Sequence, residues 1–195
     1  MKAIAIIQDE HRAITAVIEG LRHVLAEVRA GRMAADHELV GAMFDYIERF
    51  PERLHHPKED EYLFARLRAR RPQAAELLDG LEREHVVGRE RFAELKAAWE
   101  RSHADPATLD DFAARVERYS EFHWRHMRKE EDEVLPLARA ALAAEDWAAI
   151  DAAFASNSDP IVGVPASKAF RELFRRIVAI APPPWGVGPE QPPPA

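Results

Sequence analysis

Two short stretches of the sequence place a histidine and a glutamate four residues apart. The first pair is His126 and Glu130, and the second is His55 and Glu59. In an α-helix this spacing puts both side chains on one face, about one turn apart. An imidazole and a carboxylate repeated on two helices are the ligands that a dinuclear metal site uses in a helical bundle. The two pairs are therefore candidate metal ligands if the fold brings them together.

Two further histidines interrupt the apolar stripes of predicted helices. His11 fills a gap in the stripe of the first helix, and His85 lies on the stripe of the third. A core histidine held by a hydrogen bond is the simpler interpretation of each one taken alone. Gly88, one turn after His85, indicates either close helix packing or room for a small ligand beside a metal.

The composition restricts the classes of function. The chain has 195 residues, of which 47% are hydrophobic, so it can form one domain with a real core. A net charge of −7 argues against nucleic-acid and anionic membrane partners. The absence of cysteine excludes disulfides, iron–sulfur clusters and cysteine nucleophiles. The apolar run at residues 1–7 is too short for a signal peptide or a membrane span, so we expect a cytoplasmic protein.

The residue pattern predicts an all-α protein. Strand-like alternation is absent, and alanine, glutamate, arginine and leucine dominate. We expect an up-down four-helix bundle over residues 1–144 and two additional C-terminal helices over residues 145–181. A disordered proline-rich tail is predicted for residues 182–195.

Glycine, proline and capping residues set the predicted limits of the helices. The first helix runs from about residue 8 to residue 30, and Asp36 is the candidate N-cap of the second. Pro51 and Pro57 are expected to kink the second helix on either side of His55. The inner face of the fourth helix is expected to continue to Leu137. Shorter helices are predicted at residues 145–154 and 168–180.

The predicted turns place the candidate ligands at one height, because residues equidistant from a turn lie level in an up-down bundle. His11 and His55 are centred on the first turn, and His55 and Glu59 pair with His85 about the second. His85 and His126 are centred on the third turn. Four imidazoles and two carboxylates should therefore converge: His11, His55, Glu59, His85, His126 and Glu130.

Mixed nitrogen and oxygen ligands suit iron, manganese or zinc better than calcium or magnesium. His56 and Asp60 have the same spacing as His55 and Glu59, and the height argument does not separate the two pairs. His56 points about 100° away from His55, which favours a surface or supporting position. His123, one turn before the last ligand pair, is either a supporting residue or an extra ligand, and we favour the supporting position. Three other histidines are expected at the surface: His23, His37 and His103.

The complete pattern resembles the hemerythrin-like family, whose members carry an H-H-E cation-binding motif. The resemblance covers roughly residues 5–142 and includes all six candidate ligands. It implies an up-down four-helix bundle with a non-heme, oxo- or hydroxo-bridged di-iron centre. Members of the family bind dioxygen, sense oxygen or iron, or handle nitric oxide and peroxide. We expect Glu59 and Glu130 to bridge two iron ions, with the histidines as terminal ligands and manganese or zinc as the alternative metals.

One departure from the family pattern bears on function. Oxygen-carrying members have a second histidine one turn after the first on the third helix, and this chain has Arg89 there. Their fourth-helix carboxylate lies at the position of Glu131, whereas Glu130 fits iron-sensing and bacterial relatives. This departure argues against reversible oxygen carriage.

We therefore favour a non-enzymatic metal-binding protein that binds or senses dioxygen, a related diatomic gas, or iron. The alternative is a di-iron enzyme acting on oxygen, peroxide or nitric oxide. A purely structural bundle without metal is the third hypothesis. The expected partner is a small diatomic ligand, with no nucleic acid and no membrane, and the sequence names no signalling partner.

Overall fold

The structure is a computed structural model, and it describes residues 1–157 together with Arg175 and Ala179. All regular elements of these residues are helical, which confirms the predicted all-α class. The α-helices are α1 (Lys2–Arg29), α2 (His37–Arg49), α3 (His56–Lys58), α4 (Ala65–Arg70), α5 (Ala75–Ala104), α6 (Leu109–Lys129), α7 (Leu135–Ala141) and α8 (Ala144–Ala155). Single 3₁₀ turns at Pro72–Ala74 and Pro106–Thr108 precede α5 and α6.

Three π-helical turns lie between consecutive α-helices: π1 (Pro51–His55), π2 (Glu59–Phe64) and π3 (Glu130–Val134). Pro51 begins π1 and Pro57 lies in the short helix α3 that follows it. Neither proline can donate a backbone hydrogen bond. The amide of His56 donates to the carbonyl of Pro51, five residues back, which is the hydrogen bond of a π-helix. The irregularity expected at these prolines thus takes the form of π-helical turns.

The ends of α1 and the start of α2 follow from local chemistry. Gly31 adopts a φ of 68°, a left-handed conformation that ends α1 near the predicted position. The Asp36 side chain accepts a hydrogen bond from the amide of Leu39 at 2.9 Å, which confirms the predicted N-cap of α2.

Helix α1 begins at Lys2, earlier than the predicted start near residue 8. The Asp151 carboxylate in α8 accepts a hydrogen bond from the backbone amide of Ala3 at 2.7 Å. Ile4 and Ile7 are buried in an apolar cluster that includes Phe154. Packing against α8 therefore stabilises an extra helical segment that local pattern alone did not predict.

The principal helices pack side by side, with α6 against both α1 and α5, and α1 also against α2 and α8. Their apolar side chains form two clusters separated by a polar layer. Along α1, Ile7 belongs to one cluster and Ile14 to the other, with His11 between them. Along α5, Leu81 and Phe92 enclose His85 in the same way. The candidate ligands therefore occupy one buried layer of the molecule.

Two predictions of side-chain exposure were wrong: Leu137 was expected on the inner face of its helix, and His23 was expected at the surface. Leu137 is 36% exposed, and Leu135 and Ala138 are buried instead, because π3 adds a residue to the turn and rotates the face that follows. His23, predicted at the surface, is 5% exposed. It is buried because other helices cover α1 on several sides.

Helix α8 confirms the short helix predicted at residues 145–154. The predicted helix at 168–180 lies outside the described residues apart from Arg175 and Ala179, which are helical. The proline-rich tail at 182–195 also lies outside them, and the limits of the three predicted regions stay predictions. In the part of the chain that the structure describes, no helix is long and apolar enough to cross a membrane.

Candidate metal centre

The structure brings all six predicted residues together in the polar layer. Their side chains are at most 3% exposed. They form two overlapping groups in which one nitrogen or oxygen per residue lies within 4.8 Å of the others. The groups are His11, His55 and Glu59, and Glu59, His85, His126 and Glu130. Glu59 belongs to both groups, so the two groups share a carboxylate.

The π-helical turns supply three of these six residues. His55 ends π1, Glu59 begins π2, and Glu130 begins π3. A π-helical turn adds a residue to the helical turn and changes the direction of the side chains around it, and such turns are frequent at functional sites. In this protein they occur at the points where ligand-bearing segments cross the polar layer.

Glu59 directs its two oxygens at different histidines. Its Oε1 atom lies 3.4 Å from His55 Nε2 and 3.7 Å from His11 Nε2. Its Oε2 atom lies 3.6 Å from His85 Nε2, on the other side of the layer. The carboxylate therefore faces both groups.

Glu130 has the same arrangement from the opposite helix. Its Oε2 atom lies 3.4 Å from His11 Nε2. Its Oε1 atom lies 3.2 Å from His126 Nε2 and 3.7 Å from His85 Nε2. Both carboxylates thus lie between a His11–His55 pair and a His85–His126 pair, and each presents one oxygen to each pair.

A second set of carboxylates orients the four histidines. Each histidine shares a hydrogen bond through Nδ1 with a carboxylate at 2.8–3.0 Å, so its Nε2 atom faces the interior. The pairs are His11 with Glu131, His55 with Glu10, His85 with Asp60, and His126 with Glu84. This arrangement is typical of metal-binding histidines, whose second nitrogen is usually held by a carboxylate.

Sequence reasoning missed these four supporting carboxylates as a set. Each one is adjacent in sequence to a predicted ligand, and this was the available signal: Glu10 beside His11, Asp60 beside Glu59, Glu84 beside His85, and Glu131 beside Glu130. Each supports a histidine on a different helix, so the pairing becomes visible only in the fold.

The polar atoms at the centre fit a bound cation. Among the described residues, both oxygens of Glu59, both oxygens of Glu130 and the Nε2 atom of His11 are buried without a hydrogen-bond partner. Leaving such groups unpaired away from water is costly, and metal coordination would satisfy all of them. Two carboxylates and four imidazoles are also a donor set that suits iron, manganese or zinc.

The carboxylates raise the pKa values of the histidines. Burial lowers the pKa of His11, but Glu131, Glu59 and Glu130 outweigh that effect and raise it from 6.5 to about 10. Burial likewise lowers the pKa of His126, and its carboxylate neighbours, Glu130 first, raise it to about 10. Without metal, protons therefore compensate the negative charge of this layer at neutral pH.

The pKa values of His85 and Glu130 are also shifted by the opposite charges around them. Burial opposes protonation of His85, yet Asp60, Glu130 and Glu59 raise its pKa to about 9. Burial also raises the pKa of Glu130, but His126, His85 and His11 hold it well below the ordinary 4.5. A cation that enters the layer would replace the protons on the imidazoles.

The remaining histidines separate into interior and surface residues. His37 and His103 are exposed, as predicted. His56 is 2% exposed, so a surface position is wrong, because successive residues turn by less than 100° in the neighbouring π-helical turns. His123 is also 2% exposed, but it belongs to neither group of candidate ligands, and among the described residues its Nε2 atom makes no hydrogen bond that would support one of them.

Three further predictions can be compared with the structure. Asp60 bonds His85 Nδ1, so it orients a candidate ligand and does not form a ligand pair with His56. Glu131 supports His11 in the same way. A Cβ atom on Gly88 would lie 3.4 Å from Phe122 and 3.6 Å from His123, which favours close packing over space for a ligand.

The helical fold and the buried histidine–carboxylate cluster define a helical protein whose core could hold metal ions. A family model described as Hemerythrin HHE cation binding domain matches residues 2–138, and the chain belongs to this family. Membership confirms the resemblance read from the sequence and implies that the domain binds metal cations, typically iron. Comparisons with curated proteins and with solved structures gave no match.

Proposed function

We propose that the chain holds two iron ions in this layer and uses them to bind or sense dioxygen, a related diatomic gas, or iron itself. The observation that supports two ions is the position of the carboxylates. Glu59 and Glu130 each present one oxygen to the His11–His55 pair and the other to the His85–His126 pair. A carboxylate between two pairs of histidines is suited to bridge two cations.

The roles of the six residues follow from these distances. His11 and His55 would hold one ion, and His85 and His126 the other, with Glu59 and Glu130 shared between them. Manganese and zinc are the alternative metals for the same donors. When bound, iron would supply a redox-active centre to which a diatomic ligand can attach. The chain's own residues hold the ions, neutralise part of their charge and keep bulk water away.

The surroundings of the centre favour a small ligand. The six residues are at most 3% exposed, so a bulky substrate has no direct contact with them. A surface cavity of about 180 Å³ is lined by His11, Arg12, Thr15, Trp124, Met127, Arg128 and Glu131. This cavity adjoins the His11 end of the centre, which supports the approach of a small molecule from that side.

We also propose that the helices form an up-down four-helix bundle around the polar layer. Four antiparallel segments, namely α1, residues 37–70, α5 and residues 109–141, would form an up-down bundle around the layer. The packing of α6 between α1 and α5 supports this order. The domain limits, the proline-rich tail and the cytoplasmic location predicted from the sequence are retained as proposals.

The test is iron loading of the untagged full-length chain under anaerobic conditions, followed by metal analysis. We expect two iron ions per chain, with a large loss in Glu59→Ala and Glu130→Ala. His103→Ala is the control, because this exposed histidine lies outside the layer. Wild-type protein that retains no more iron than the Glu59→Ala/Glu130→Ala double variant would reject the proposal.

Exposure of the reduced, iron-loaded protein to dioxygen, peroxide or nitric oxide distinguishes a binding or sensing protein from an enzyme. A stable optical change without net consumption of dioxygen supports a binding or sensing role. Multi-turnover consumption of peroxide or nitric oxide would instead favour the di-iron enzyme.

A further inference from the structure

His56 is a fifth buried histidine beside the proposed centre. Its ring stacks on the ring of His85, with centroids 4.4 Å apart and an angle of 18° between the planes. It offers a ring nitrogen within 4.8 Å of ligand atoms of His85 and His126. Its side chain therefore lies at the end of the centre that the His85–His126 pair occupies.

The environment of His56 repeats the environment of the other four histidines. Its Nδ1 atom lies 3.7 Å from Oε2 of Glu52, a carboxylate that is only 7% exposed. The other four histidines have a carboxylate at the same ring nitrogen, at a shorter distance. His56 Nδ1 and both oxygens of Glu52 are buried without a hydrogen-bond partner. Closure of the gap between Glu52 and His56 would satisfy these atoms and orient the ring.

Helix α5 leaves a place for a further histidine ligand beside His85. Arg89 occupies the position one turn after His85, and its side chain is exposed. It lines a surface groove together with Glu52 instead of entering the layer. The His85–His126 pair thus receives no second histidine from α5, and His56 approaches it from the preceding helical segment.

We propose that His56 is a third histidine ligand of the ion held by His85 and His126, and that Glu52 orients it. This inference rests on the proposed function. It makes the two ends of the centre unequal, with three histidines at the His85 end and two at the His11 end. The His11 end would then have fewer histidines, and the cavity beside Trp124 and Met127 adjoins that end.

His123 provides a matched control for this proposal. It is as buried as His56, at 2% exposed, and its Nε2 atom also lacks a hydrogen-bond partner. Its ring centroid lies 6.3 Å from that of His126, and it belongs to no described group of candidate ligands. His123→Ala therefore removes a buried imidazole of equal size without removing a proposed ligand.

The experiment is an anaerobic titration of the full chain with ferrous iron against a chromophoric chelator. We expect wild-type protein to bind two ions, and His56→Ala to bind the first ion normally and the second at least about tenfold more weakly. Glu52→Gln should weaken the second ion by about tenfold, the lower end of the effect of a carboxylate that orients a metal ligand. His123→Ala should leave both affinities unchanged.

The outcomes separate this inference from the function on which it rests. Wild-type protein that binds fewer than two ions overturns the proposed dinuclear centre. Two ions with unchanged affinities in His56→Ala overturn only the role of His56. Equal losses in His56→Ala and His123→Ala would also overturn it, because they would indicate a packing effect. If His56→Ala fails to fold by circular dichroism, His56→Gln decides by the same criteria.

Discussion

Glu131 Oε1 lies 2.9 Å from His11 Nδ1, and this hydrogen bond closes a ring of four such bonds around the bundle. Each bond joins a carboxylate on one helical segment to a histidine on the next: Glu10 to His55, Asp60 to His85, Glu84 to His126, and Glu131 to His11. The orientation of these four histidines therefore depends on the neighbouring segment. If the layer holds metal, its affinity should depend on helix packing through this ring.

Removal of one carboxylate from the ring should weaken iron binding. In Glu131→Gln we expect the affinity for ferrous iron to fall by about 10- to 100-fold, since His11 loses the charged partner that orients it. The fold should persist because the Glu131 side chain is 37% exposed. Competition with a chromophoric chelator measures the affinity. Glu133→Gln, an exposed carboxylate two residues further on, is the control, and an equal loss in both variants would contradict a specific role of Glu131.

Iron should stabilise the folded chain. The candidate ligands come from four separate segments and meet only in the fold, so iron should bind the native state in preference to the unfolded state. Free iron at 100 times its dissociation constant would add about 2.7 kcal/mol, which raises Tm by several degrees.

Thermal unfolding followed by circular dichroism, with and without a chelator, measures this stabilisation. The Glu59→Ala/Glu130→Ala variant should show no change on chelation. The same Tm in loaded and chelated wild-type protein would argue against a metal centre in the core.

Iron uptake should release protons. The pKa values of His11 and His126 are raised to about 10 in the metal-free layer, so at pH 7.5 both imidazoles are positively charged, with a proton on each ring nitrogen. Metal binding requires a free ring nitrogen, and the apparent affinity should rise as the pH increases from about 6 towards about 10. Titration in a weakly buffered solution measures the released protons directly. An affinity that does not vary between pH 6 and 9 would contradict the protonated metal-free state.

The same pKa shifts predict the opposite trend for the stability of the metal-free chain. A histidine whose pKa is raised by folding stabilises the native state fully below its unfolded value of about 6.5. This contribution is lost as the pH rises through the folded values of about 10 for His11 and about 9 for His85. Urea unfolding of chelated protein should therefore show lower stability at pH 9.5 than at pH 6.5. Stability that rises over this range would contradict the assigned charges.

The sequence was sufficient to predict which six residues meet, because two kinds of spacing agreed. The i, i+4 pairs depend only on helical geometry, and the common height depends only on the positions of the turns. The supporting carboxylates could not be distinguished from surface residues, since the periodicity that predicts buried positions is read from apolar residues and not from charged ones. Asp60, for example, follows Glu59 directly but serves a histidine on α5.

The π-helical turns explain the other differences. Predictions from apolar periodicity assume 3.6 residues per turn, and that assumption fails at π1, π2 and π3. His56 was consequently expected at the surface or in a supporting position, and Leu137 was expected on the inner face of its helix. The early start of α1 was missed for a different reason, because it depends on contact with α8 across the fold.

The most direct test of the central claim is electron paramagnetic resonance of the oxidised, iron-loaded chain, combined with metal analysis. If Glu59 and Glu130 bridge two ferric ions, the spins couple antiferromagnetically. The protein should then contain two iron ions per chain and give almost no signal. An intense signal from isolated high-spin ferric iron that accounts for the bound metal would contradict a shared, carboxylate-bridged centre.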